Sequence, residues 1–240
     1  MQTISQRLHE VLSKIISSTS PGVRLPSEPE LARQLGVSRA TLREAMRTFE
    51  TQGMLYRRQG SGTYVIHPTR VIESGLEVLE SIDSLAKRIG LSVSMGKYEL
   101  SRRPANEDEA SALGLPAEAG VVCVSRVILA EGYPAAYLVD VLPEDVLCPE
   151  DLNTEFTGSV LDLLLQRGSP ELTSSRCEIT AVNATHDVAV AMGIQRGDVL
   201  LRFIAFLYTS SGRIVDYSFS YFLPGYFRFH VVRRIGKRAF

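Results

Sequence analysis

Residues 27–53 read SEPELARQLGVSRATLREAMRTFETQG, and they decide the fold of the first part of the chain. Ser27 followed three residues later by Glu30 is a capping box, and Pro29 falls in the first turn, where a missing N–H costs little. Leu31, Ala32 and Leu35 give this short helix its buried face, and Gly36 ends it. Ser38 then caps a helix over about 39–52, closed by Gly53. Leu42, Ala45, Met46 and Phe49 form its apolar face, and Arg39, Thr41, Arg43 and Arg47 its other face. Two short helices joined by a tight Gly-Val turn are a helix-turn-helix, whose second helix enters a DNA major groove N-terminus first. Arginine forks suit guanine edges or phosphate, hydroxyls serve either, and the free N–H groups at the helix start add a phosphate site.

The flanks fit this reading. Upstream, Ile4, Leu8, Val11, Leu12, Ile15 and Ile16 recur at helical spacing, and Ser20-Pro21-Gly22 ends that helix. Downstream, residues 54–58 and 63–66 read as two strands around the glycine-rich tip Gln59-Gly60-Ser61-Gly62. After a helix-turn-helix, such a hairpin is a wing, and its glycines let the backbone approach a sugar-phosphate chain closely. Charge agrees: residues 1–70 carry +5 and the remainder −6, within a total of −1. A basic head on an acidic body implies that only the head meets a polyanion.

The run Pro21-Gly22, Leu25-Pro26-Ser27-Glu28, Leu31-Ala32, then Gly36-Val37-Ser38-Arg39, Thr41, Arg43, Ala45, then Gly53, Gly60, Gly62-Thr63 and Val65 resembles the DNA-binding domain of the gluconate-repressor (GntR) family. The resemblance implies DNA contact at Ser38, Arg39, Thr41, Arg43, Gln59 and Gly60. Arg47 on the same helix face and Ser61 and Gly62 in the wing tip complete the candidates. Many relatives hold an Arg that can touch DNA where this chain has Pro29, so the resemblance does not carry that contact over.

Residues 1–66 thus form a winged helix-turn-helix domain, 67–75 a linker, and 76–240 a second domain that opens on a helix at about 76–89. Beyond Gly90 the pattern becomes strands with helices between them. Asp108, Ala110, Ala112 and Gly114 recur as Asp187, Ala189, Ala191 and Gly193. After each copy come a glycine turn, a long apolar strand (121–130, 198–208) and a second strand closing on Leu142-Pro143 or Leu223-Pro224. This is a diverged duplication, and it predicts two helix–hairpin units related by a pseudo-two-fold axis in one antiparallel sheet, with a ligand cleft between them. A helix from about 158 to Gly168 and a strand at 172–183 separate the copies, and a last strand is expected at 227–235.

This order, with Arg126, Gly132, Pro134, Leu142-Pro143, Gly158-Ser159, Leu161, Leu200, Gly212 and Asp216-Tyr217, resembles the HutC-like branch of the family, whose UTRA effector domain has a chorismate-lyase-like fold. The fold class expected is therefore α+β, a winged helix-turn-helix followed by an antiparallel-sheet effector domain. The resemblance implies a transcription regulator, in the main a repressor. Its operator binding would answer to a small anionic metabolite, a carboxylate or phosphate.

Arg126 stands on an otherwise apolar strand face, where the second copy has Phe203. Its guanidinium needs a partner: an anionic ligand, or a protein acid such as Asp140 or Asp216. Ser159 at a helix start suits the same anion, or is a plain cap. Asp216 fits a position where relatives accept hydrogen bonds from the ligand, and Tyr217 and Phe222 complete the candidate pocket by the same resemblance. Where relatives often carry polar groups, this chain has Ile128, Leu138 and Phe222, which points to an effector with a hydrophobic part.

An enzyme is the weaker alternative: a chorismate-lyase-like domain behind a DNA-binding head needs a catalytic pair, and His9, His67, His186 and His230 show no metal or triad spacing. Neither a catalytic site nor a cofactor nor a metal is expected. No membrane span or secretory leader is legible, and Cys123, Cys148 and Cys177 lack Cys-x-x-Cys spacing, so the chain reads as cytoplasmic with reduced thiols. The partners expected are double-stranded operator DNA, one effector and a second copy of the chain, because two-fold symmetric readers use two half-sites.

Overall fold

The computed structural model describes residues 4–51, 54–58, 61–65, 71–152 and 156–233. The head is built from α1 (Ile4–Ser18), α2 (Glu28–Leu35), α3 (Arg39–Thr51) and the hairpin β1 (Leu55–Arg58) with β2 (Gly62–Val65). Leu8, Leu12, Ile16, Leu31, Leu42, Met46, Phe49, Leu55 and Val65 share one core, so all three helices and the wing are held by the faces the periodicity marks. Glu30 accepts from the Ser27 N–H (3.1 Å) and hydroxyl (2.8 Å), and Gly36 closes α2 in the left-handed region at φ +65°. Residues 22–25 add a short third edge to the wing, with Gly22 donating to Val65 and Leu25 to Thr63, each at 2.8 Å.

The body carries α4 (Ile82–Ile89), β4 (Val93–Pro104), α5 (Glu107–Leu113), β5 (Gly120–Ala130) and β6 (Tyr133–Pro143). Then follow α6 (Val160–Arg167), β7 (Leu172–Asn183), α7 (His186–Met192), β8 (Val199–Thr209) and β9 (Ile214–Phe222). The six strands make one antiparallel sheet in the order β4-β5-β6-β9-β8-β7. That order is symmetric about the β6–β9 seam, as the duplication requires. The repeat is also longer than the sequence reading drew it. Helices α4 and α6 each start at a serine cap, Ser81 or Ser159, and each end at a left-handed glycine, Gly90 or Gly168. One sheet face is covered by α4 and α6: Leu85 and Ala86 pack with Ile128, Ala136 and Phe222, and Val160 and Leu164 pack with Val122, Val124, Leu142 and Leu207. The opposite face carries α5 at one end, over Val121 and Val141.

Three expectations shift. Residues 72–75, placed in a linker, form strand β3 (Ile72–Gly75), which pairs in parallel with β10 (Phe227–His230). The helix expected from 76 begins only after the Ser81 cap. Leu76, Val78 and Leu79 are exposed, so the apparent periodicity there buries nothing. The last strand stops at His230 and not at 235.

Candidate functional site

The DNA-facing surface is assembled by caps. The Thr41 N–H donates to Ser38 Oγ at 3.1 Å, and the two hydroxyls lie 2.8 Å apart at the start of α3. Arg39, Thr41, Arg43 and Arg47 are all exposed along the helix. Arg43 donates to Glu28 Oε2 through Nε (3.2 Å) and Nη2 (2.7 Å), which holds its fork at the edge of that surface. Arg47 lies 4.0 Å from Glu44. Gln59 and Gly60 lie outside the described residues. Ser61 shares a 2.6 Å hydrogen bond with the Tyr64 hydroxyl, beside Gly62. Gly62 has φ +130°, and a Cβ there would fall 2.4 Å from Arg24 Nε. Arg24 was not singled out in the sequence, yet its side chain lies against the wing.

Behind this surface the head meets the body. Glu50, Leu55, Tyr56 and Arg57 face Pro134, Ile194, Gln195, Asp198, Leu223 and Tyr226 across a narrow cavity. Arg57 Nη2 lies 2.7 Å from Glu28 and 3.1 Å from Glu50, neither contact being aligned as a hydrogen bond. Turned with its oxygen toward Arg57, the Gln195 amide accepts from Arg57 Nε at 3.1 Å. Burial pushes the Glu50 carboxyl up to about 7, against the pull of Arg57 and with repulsion from Asp198 and Glu28.

In the body, strand register puts Arg126 opposite Leu138, Leu138 opposite Ser220, and Ser220 opposite Phe203 in one row. Arg126 is 3% exposed. Its Nη1 donates to Asp140 Oδ2 and its Nε to the Gly158 carbonyl, just before α6. Of the partners weighed for this guanidinium, the described structure holds a protein acid. Asp140 in turn faces Asp216, which is 7% exposed and whose Oδ1 has no hydrogen-bond partner. Burial first, then the Asp140 carboxylate, raise the Asp216 carboxyl well above the usual range, while Arg126 and the Val141 backbone pull it down.

Ser159 accepts from the Asp162 N–H at 3.0 Å, so it is the helix cap, close to Arg126 through Gly158. Two residues that the sequence reading passed over meet there. Ser81 Oγ donates to Asp162 Oδ2 at 2.6 Å, joining the starts of α4 and α6. Asp83 beside them has its carboxyl raised by burial and by Asp162. The signal for this was present in the shared serine-to-glycine spacing of the two helices. Arg126, Ser159 and Asp216 are thus brought together. Phe222 shares their sheet face but lies at the far end of β9 from Asp216, packed on Phe203 at 5.0 Å between ring centroids. Tyr217 does not join them: neighbouring strand residues point to opposite faces, and its ring stacks on Phe206 at 5.1 Å on the far side of the sheet. Among the described residues no cluster of His, Cys, Asp and Glu is arranged to hold a metal, and no helix is long and apolar enough to cross a membrane.

Comparison with known proteins agrees with both halves. Residues 2–65 match the family described as bacterial regulatory proteins, gntR family, and residues 89–228 match the UTRA domain. The chain is 29% identical to the HTH-type transcriptional repressor NagR of Bacillus subtilis over 198 residues, covering 82% of this chain and 80% of that protein. It is 30% identical to the HTH-type transcriptional regulator Rv0792c of Mycobacterium tuberculosis over 236 residues, covering 95% and 84%. A histidine utilization repressor of Klebsiella aerogenes is 28% identical, covering 83% and 79%. Among solved structures, PhnF from Mycobacterium smegmatis shares the fold with a TM-score of 0.65 at 22% identity, covering 95% of this chain and all of that one. The chain therefore belongs to the GntR family of bacterial regulatory proteins, in its HutC-like branch, and is a DNA-binding transcription regulator with a UTRA effector domain and not an enzyme.

Proposed function

We propose that this regulator represses transcription from the cytoplasm as a homodimer on a pseudo-palindromic operator, and that an effector seated at the Arg126 face of the body controls its grip. The observation that carries the DNA side is the exposed row Ser38, Arg39, Thr41, Arg43 and Arg47 on a capped helix, backed by the basic charge of the head. One head offers one recognition helix, so two copies are needed to read two half-sites. The sheet face opposite Arg126 suits the contact between copies, with Ile204, Phe206 and Phe219 half-exposed in its middle.

The effector side rests on Arg126, Ser159 and Asp216 converging where the two halves of the body meet. A carboxylate or phosphate, the effector class expected from the family resemblance, would have to compete with Asp140 for the guanidinium. Effector binding controls the head only if it favours one head arrangement over another. A coupling of ~1–3 kcal/mol would change operator affinity ~5–150-fold. The test is anisotropy titration of a selected operator at fixed salt, with and without metabolites. Failure of the full chain to select any sequence above bulk DNA would refute the reading.

A further inference from the structure

We propose that the effector is an uncharged or cationic molecule that presents N–H or O–H donors to Asp216 and Asp140, and that it is not an anion. This rests on the reading that the Arg126 face is the effector site.

Of the two devices that would hold an anion, the guanidinium is already paired with a carboxylate of the chain, and the helix start is capped by a hydroxyl with a carboxylate beside it. Arg126 is engaged by Asp140 and by the Gly158 carbonyl. The start of α6 carries Asp162 three residues past the Ser159 cap, and that carboxylate also accepts from Ser81. Around the one guanidinium stand Asp140 and Asp216 from the sheet and Asp83 and Asp162 from the helices. Even with Asp216 protonated, this cluster is negative, and an incoming carboxylate or phosphate meets repulsion in a weakly screened interior.

Asp216 Oδ1 is buried with no N–H or O–H of the chain directed at it, and a ligand N–H or O–H would supply that partner. The pseudo-symmetric half of the same face is aromatic. Phe203, Phe222 and Phe229 lie within ring contact of one another, at 4.4–5.0 Å between centroids. That cluster lies away from the acids, because Phe222 pairs with Ala136 whereas Asp140 pairs with Ser218, so it packs the core at the other end of the sheet and does not line the Arg126 site.

The experiment is a thermal-shift comparison of charge-matched pairs on the full chain: adenosine against adenosine monophosphate, tyramine against hydroxyphenylacetate, glucosamine against glucosamine phosphate. It is paired with Asp216→Asn. The neutral or cationic member of at least one pair should raise the melting temperature while its anionic partner does not, and Asp216→Asn should abolish that shift. Without ligand, the same variant should melt at or above wild type, by up to about 2–4 °C, because it removes an unsatisfied buried carboxyl. An anionic member that stabilises more than its partner, or a ligand-free variant that melts several degrees lower, overturns the proposal but leaves the effector site standing. No shift with any probe removes the effector-site reading as well.

Discussion

Arg126 and Phe203 occupy the same place in the two halves of the body, at the two ends of one row across the four central strands. Asp140 lies two residues beyond Leu138, and Phe222 two residues beyond Ser220, so these also correspond. The ion pair Arg126–Asp140 in one half is therefore an aromatic pair, Phe203–Phe222, in the other. The duplicated scaffold has diverged into a charged side and an apolar side at the point where its halves meet.

Arg126 should thus be structural as well as functional. Arg126→Met leaves Asp140 and Asp216 buried without their counter-charge, and loss of one member of a buried pair typically costs about 3–5 kcal/mol. Urea melts should show that loss, and Asp140→Leu added to it should recover part. If Arg126→Met unfolds at the wild-type midpoint, the pair contributes nothing to the body.

Glu50 makes stability depend on pH. Its carboxyl is raised from 4.5 to about 7 in the folded protein, so the native state holds a proton that the unfolded chain has released. Stability should therefore fall as pH rises from near 4.5 through 7, and flatten above that. Glu50→Gln removes this dependence. The variant should exceed wild type by up to about 3 kcal/mol at alkaline pH, with the two converging toward the ordinary glutamate pKa. Melting temperature against pH measures this, and parallel curves would refute it.

Arg39→Ala and Arg43→Ala should each weaken operator binding by about 1–3 kcal/mol in salt-matched titrations, with the melting of the body unchanged. Arg43 is exposed even while paired with Glu28, so its loss should cost little stability. Wild-type affinity in both variants would mean that another surface reads the DNA.

Phe219→Glu, on the half-exposed sheet face, should shift sedimentation from dimer to monomer and lower operator affinity. A variant that stays dimeric would move the contact between copies elsewhere.

The amino-acid sequence alone determined the head almost completely. Its helices are bounded by local chemistry, such as Ser27 with Glu30, Ser38 with Thr41, and the glycine at 36, and local chemistry is legible one turn at a time. The duplication was legible too, because both copies kept their caps and closing glycines. Even the asymmetry of Arg126 against Phe203 could be read before any register was known. What only the tertiary structure decided are contacts between residues far apart in the chain. Ser81 meets Asp162 across 81 residues, and Arg57 of the wing meets Gln195 of the body. Tyr217 went astray for a related reason: a strand turns each successive side chain to the other face, so adjacency in sequence says nothing of a shared site. The choice of Asp140 as the partner of Arg126 likewise depended on which β6 residue the sheet register brought within reach, and no local pattern encodes that register.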